Sequence, residues 1–188
     1  MVIGIDIGLM GAIACIDEDR NYIGVWDTPI KKVIKLVGRK GKEVEKHVSV
    51  YNINAIESIF SSLIVKYQTC NFTCFIEEAL IIMGGGVKRF NAKTNVSLAR
   101  CQGLFEGVSA CHTNSQITVD PRVWQKHFGI SGKKGDTGDQ SISIAKSMFP
   151  NVEFETERGR KLDGRADAIL LACYGLHYMK IRATENQL

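Results

Sequence analysis

Acidic residues stand at the ends of three otherwise apolar stretches of this chain. Asp6 lies in Val2-Ile3-Gly4-Ile5-Asp6-Ile7-Gly8, Glu77 and Glu78 close Thr73-Cys74-Phe75-Ile76, and Asp163 and Asp167 open Asp163-Gly164-Arg165-Ala166-Asp167-Ala168-Ile169-Leu170-Leu171. A carboxylate in an apolar run is costly to bury unless it is paired or holds a cation. Three such places in one small chain point to a shared cation site. Hard oxygen ligands select magnesium, with manganese as a substitute. Two such ions about 3.5–4 Å apart can serve the attacking and leaving oxygens of a phosphodiester.

The elements around these residues must bring them together. Residues 2–7 and 12–16 read as strands joined by the turn Gly8-Leu9-Met10-Gly11, and Ile23-Gly24-Val25-Trp26 as a third. Residues 30–50 carry seven basic residues against Glu43 and Glu45, interleaved with Val33, Ile34, Leu36 and Val37, a pattern compatible with an extended hairpin. From Asn52 to Tyr67 the apolar residues recur at helical spacing. Residues 73–80 read as a buried strand, 94–112 as a helix, 116–119 as a strand, and 121–128, 139–149 and 165–179 as helices. Short links favour antiparallel pairing of the first three strands, and helical crossovers make the later strands parallel to the first.

If strand 73–80 lies beside strand 2–7, a spacing of about 4.8 Å brings Asp6 and Glu77 within reach of one ion. Alternation lets only one of Glu77 and Glu78 face the site. Glu77, directly after Ile76, is the candidate, with Glu78 the alternative. Asp163 and Asp167 share a face one turn apart if the helix already includes Asp163. Gly164 leaves open that Asp163 is a cap residue instead.

These motifs together resemble RuvC-type Holliday-junction resolvases, especially phage-like members. Ser97-Leu98-Ala99-Arg100-Cys101-Gln102-Gly103 is similar to the family's helix after the glutamate strand. Pro121-Arg122-Val123-Trp124-Gln125-Lys126 with Lys133-Lys134 is similar to its later basic stretch. The chain departs at Ile7, where many cellular members have Pro, and in spacing its last two aspartates four apart where those members space them three apart. The resemblance implies an α/β, ribonuclease H-like fold, a mixed five-stranded sheet flanked by helices. It spans residues 1–180 as one nuclease domain, with 30–50 a basic insertion and 181–188 a tail. It also implies Asp6, Glu77, Asp163 and Asp167 as ligands of two magnesium ions per active site. The implied enzyme is a homodimer that nicks a four-way DNA junction symmetrically, leaving 5′-phosphate and 3′-hydroxyl ends.

Basic segments supply candidate DNA contacts. Lys88, Arg89, Phe90, Lys93 and Arg100 follow the glutamate strand, where cations can hold phosphates and Phe90 can wedge against a base. Lys133 and Lys134 precede helix 139–149, and one of them, with Lys134 the candidate, is expected to neutralise the scissile phosphate. Each segment can also be a solvated basic loop. Gly103 and Gly107 allow close backbone approach, either to the sheet or across a dimer.

Bulk properties narrow the choice further. At 188 residues and 45% apolar content the chain can bury one full core. A net charge of +4 favours nucleic acid only weakly. No run approaches the roughly 18–20 apolar residues of a membrane span, and no secretory leader is expected. The six cysteines lack zinc-site spacing and read as buried free thiols of a reducing, cytoplasmic compartment. Neither a membrane nor a small-molecule substrate is expected. The rival readings are a ribonuclease H- or transposase-like nuclease, a silent junction-binding protein, and an actin- or sugar-kinase-like ATP-binding protein. The last shares a strand-Asp-Gly opening but duplicates its fold in a longer chain, and ATP-dependent stabilisation would reveal it.

Overall fold

The structure is a computed structural model that describes residues 1–39, 42–68, 71–79, 92–132 and 136–186. Strands β1 (Val2–Asp6), β2 (Ala12–Ile16) and β3 (Tyr22–Asp27) form an antiparallel meander. Strands β4 (Ile30–Arg39) and β5 (Lys42–Tyr51) pair only with each other, as the alternation in 30–50 suggested. Helix α1 (Ile53–Tyr67) crosses over to β6 (Thr73–Glu77), and α2 (Ala92–Ala110) crosses over to β7 (Ser115–Val119). Both later strands run parallel to β1. Helices α3 (Pro121–His127), α4 (Asp136–Met148) and α5 (Asp163–Glu185) follow. The main sheet has five strands in the order β3-β2-β1-β6-β7, the expected mixed sheet flanked by helices.

Strand alternation divides the core between the two faces of the sheet. Ile3, Ile5, Ile13, Cys74 and Ile76 pack with Phe60, Cys101 and Phe105 from α1 and α2. Val2, Ala14 and Phe75 pack on the other side with Trp124, Ala145, Leu170 and Leu171 from α3, α4 and α5. The α5 backbone lies almost directly on β1. A Cβ at Gly4 would sit 2.1 Å from the Ala168 carbonyl oxygen and 2.5 Å from the Ala172 nitrogen. Ala166, Ala168 and Ala172 are accordingly small and fully buried.

Some boundaries differ from the sequence reading. Helix α5 starts at Asp163 and runs to Glu185, so residues 181–185 of the expected tail are helical. Strand β6 ends at Glu77, short of residue 80, and α4 begins at Asp136, ahead of 139. Cys15, Cys74, Cys101 and Cys173 are buried free thiols, Cys111 is exposed, and Cys70 falls outside the described residues. Gly103 and Gly107 do not serve close approach to the sheet: among the described residues of the chain a Cβ at either would meet nothing within 4 Å. Among the described residues no helix is long and apolar enough to cross a membrane.

Candidate active site

Parallel pairing of β1 with β6 sets the two strand carboxylates side by side. The register runs from Val2↔Thr73 to Ile5↔Ile76, which puts Asp6 and Glu77 at the adjoining strand ends. Val2, Gly4 and Asp6 alternate onto the α5 face of the sheet, and so do Phe75 and Glu77. Glu78 points the other way along the strand and is exposed. Its backbone N–H extends the β7 ladder by donating to the Val119 carbonyl at 2.9 Å. Of the two glutamates, Glu77 is therefore the one beside Asp6.

Helix α5 begins over these strand ends. Asp163 is its first residue, and Leu162 takes the cap position without a side-chain hydrogen bond. Asp163 and Asp167 thus lie one helical turn apart on one face. Gly164 is no helix breaker here. A Cβ at this position would lie 2.4 Å from the Met10 carbonyl oxygen, 2.9 Å from Asp6 Oδ2 and 2.9 Å from Gly11 Cα. Only the missing side chain lets the helix start settle against the β1–β2 turn and Asp6. Arg165 fastens that turn of helix: its Nε and Nη2 donate to Asp27 at 2.6 and 3.0 Å, and its Nη1 donates to the Glu153 carbonyl at 3.1 Å.

The electrostatics record how close these groups are. Burial raises the Asp6 carboxyl well above the usual range, and the charges of Glu77, Asp167 and Asp163 push it further. Burial and the Asp167 charge raise Glu77 to about 7, against the opposing pull of the Trp124 hydrogen bond. Asp167 also rises to about 7, through burial and then the Asp163 charge, while the Ser141 hydroxyl acts in the other direction. Asp163 itself is exposed at the mouth, with the backbone of Gly138 packed against its side chain.

Sequence reasoning overlooked three supports of this centre. Trp124 is completely buried and donates from Nε1 to Glu77 Oε2 at 3.1 Å. Its position follows from local chemistry: Pro121 opens α3, and the Asp120 side chain caps it by accepting from the Arg122 N–H. Gln102 accepts from the Ala79 N–H at 2.8 Å and donates to Glu106 at 2.7 Å, which ties the chain after Glu77 to α2. Ser141 is buried beside Asp167. A buried indole needs a partner for its N–H, and that need was the one available signal for Trp124.

A divalent cation fits this donor set. Asp167 Oδ1 is buried with no hydrogen-bond partner, and three raised carboxyls surround one another. Among the described residues no three Asp, Glu, His or Cys side chains already stand as a closed ligand set. The fit therefore rests on the all-oxygen chemistry and the orphaned oxygen. Lys88, Arg89, Phe90, Lys133 and Lys134 lie outside the described residues, as does the side chain of Lys93. Arg100 is exposed on α2, on the helix that follows the glutamate strand.

Comparison with known proteins adds three findings. A family model described as Lactococcus phage M3 protein matches residues 26–175. The chain is 24% identical over 167 residues to the chloroplastic Holliday junction resolvase MOC1 of Chlamydomonas reinhardtii, an alignment covering 85% of this chain. The chain spans only 18% of that relative's length. Among solved structures, T. thermophilus RuvC in complex with a Holliday junction substrate superposes with a TM-score of 0.50 at 13% identity, covering 96% of this chain and 94% of that one. At that identity the match speaks for the fold: a mixed five-stranded sheet with flanking helices, as in RuvC.

Proposed function

The chain belongs to the Lactococcus phage M3 protein family, and from that premise we propose that it is a metal-dependent endonuclease resolving four-way DNA junctions. The observation that carries the reading is the meeting of Asp6 and Glu77, from adjacent parallel strands, with Asp163 and Asp167 on one turn of α5. The MOC1 and RuvC likenesses supply the substrate class, since both names concern Holliday junctions.

In this mechanism Asp6, Glu77, Asp163 and Asp167 would hold two magnesium ions, manganese being an alternative. The ions would supply charge stabilisation at the attacking and leaving oxygens of the phosphodiester. Trp124 fixes Glu77 by occupying Oε2, which leaves Oε1 for a ligand role. As a pure donor, an indole N–H does not compete for the cation. Gly164 and the Arg165–Asp27 pair set the depth and tilt of the α5 start, and so the reach of Asp163 and Asp167. Lys134 neutralises the scissile phosphate, while Lys88, Arg89, Phe90, Lys93, Arg100 and Lys133 contribute DNA contacts. Water attacks phosphorus, the bond to the 3′-oxygen breaks, and the products carry 5′-phosphate and 3′-hydroxyl ends.

The described residues of one chain form one such centre, and resolving a junction needs two incisions related by two-fold symmetry. A C2 homodimer is the simplest object that presents two identical sites. Light scattering with and without junction DNA, paired with a cruciform plasmid, tests this reading. Coordinated cutting yields linear product directly. A strictly monomeric protein that yields open circles first, and cuts linear duplex equally well, would leave only a simpler nuclease.

A further inference from the structure

The carboxylate centre makes no use of the β4–β5 ribbon. Its ten-residue strands pair along their full length, from Ile30↔Tyr51 to Arg39↔Lys42, in a sheet of their own. At about 3.4 Å per residue this is a ribbon roughly 30 Å long. A lone two-stranded ribbon gains little stability from burial, so unfavourable pairs on it are poorly tolerated. Yet Lys35 stands directly opposite Lys46, and Lys31 lies on the same face. All three are exposed, and among the described residues none has an ion-pair partner. Like charges directly opposed destabilise a strand pair. The ribbon therefore concentrates positive charge at the expense of its own stability, a conflict that an anionic partner removes.

The position of the ribbon specifies that partner. Asp27, Thr28 and Ile30 at its root line one cavity together with Asp163, Leu9 and Met10. The ribbon thus springs from the rim of the carboxylate centre. We propose that it is a DNA arm, its Lys31, Lys35 and Lys46 face lying along the phosphates of a duplex arm that leaves the cleaved site. A two-stranded ribbon is an element that the major groove, about 12 Å wide, admits. This rests on the junction-nuclease reading and adds to it an element that grips DNA away from the chemistry.

Binding isotherms of a labelled linear duplex and a labelled four-way junction, recorded in chelator over a salt series, test the proposal. The variants are Lys46→Glu and the triple Lys31→Gln, Lys35→Gln, Lys46→Gln, each with its melting temperature. The triple variant should bind both DNAs more weakly and lower the slope of log K against log salt by about 0.9 for each lost phosphate contact. Lys46→Glu replaces a repulsive pair by an attractive one, so its melting temperature should hold or rise while its affinity falls several-fold. That opposite movement excludes misfolding as the cause of weak binding. Wild-type affinity and slope in both variants would overturn the proposal and leave the ribbon to a protein partner met through Ile34 and Leu36, which are 57% and 62% exposed. A wild-type protein that binds neither DNA would overturn the junction-nuclease reading itself, an outcome distinct from loss confined to the variants.

Discussion

The indole Nε1 of Trp124 donates to Oε2 of Glu77 at 3.1 Å from a position with no exposed surface. Partners of this kind orient ligating groups, and their loss typically costs about 10–100-fold in metal affinity. Trp124→Phe keeps an aromatic ring and removes the donor. We expect the magnesium concentration for half-maximal cleavage to rise by about that factor, with the rate largely recovered at saturation. The smaller ring should also cost about 1–3 kcal/mol of stability. A lower melting temperature with an unchanged metal requirement would reduce Trp124 to packing alone.

The raised carboxyls also fix a dependence of stability on pH. Glu77 and Asp167 stand at about 7 in the fold, well above their ordinary values, and Asp6 is raised too. A raised acid contributes stability that is complete below its unfolded value and lost as pH rises through its folded one. In chelator the contribution of these groups should thus decline from about pH 4 to above pH 7, by up to a few kcal/mol in total. Asp6→Asn removes one charge from the cluster, so it should flatten that decline and raise the melting temperature at pH 8 by several degrees. Melting curves across pH decide this, and identical profiles for the two proteins would refute it.

Two glycine substitutions should act in opposite directions. Gly164→Ala improves helix propensity, yet its Cβ would collide with the Met10 carbonyl and Asp6. Overpacking of this kind costs about 1–3 kcal/mol, and the displaced α5 start should also suppress cleavage. Gly103→Ala meets nothing within 4 Å among the described residues and should stabilise α2 by about 1 kcal/mol. Melting temperatures of the two variants check both signs.

The three acidic motifs were legible because a carboxylate at the end of an apolar run contradicts its surroundings. The parallel neighbours β1 and β6 were legible because crossover helices leave them little choice. Alternation admits only one of Glu77 and Glu78, the place directly after Ile76 favours Glu77, and Phe75 packed on the α5 side marks the face that Glu77 shares. Asp163 stayed ambiguous because Gly164 reads as a helix breaker, when its reason is steric and sits in the β1–β2 turn. Trp124 was hidden for a similar cause: its partner lies 47 residues earlier in the chain, and nothing local records that contact. Gly103 and Gly107 do not bring α2 onto the sheet, because a small residue permits close approach without anything in the chain having to come near. The ribbon was visible as interleaved charge and apolar residues, though not the opposition of Lys35 and Lys46, which depends on register.

Asp6, Glu77, Asp163 and Asp167 are proposed to act as one metal-dependent cleavage centre, and the two strand carboxylates test it best. Asp6→Asn and Glu77→Gln each remove a ligand charge with little change of shape. Cleavage of a labelled four-way junction by the two purified variants, in magnesium and beside a binding assay, is the most direct measurement. Cleavage should fall by several orders of magnitude with junction affinity largely kept, because basic segments are expected to supply most of that affinity. Wild-type-like nicking by Asp6→Asn in magnesium, or full wild-type activity in excess chelator, would contradict it.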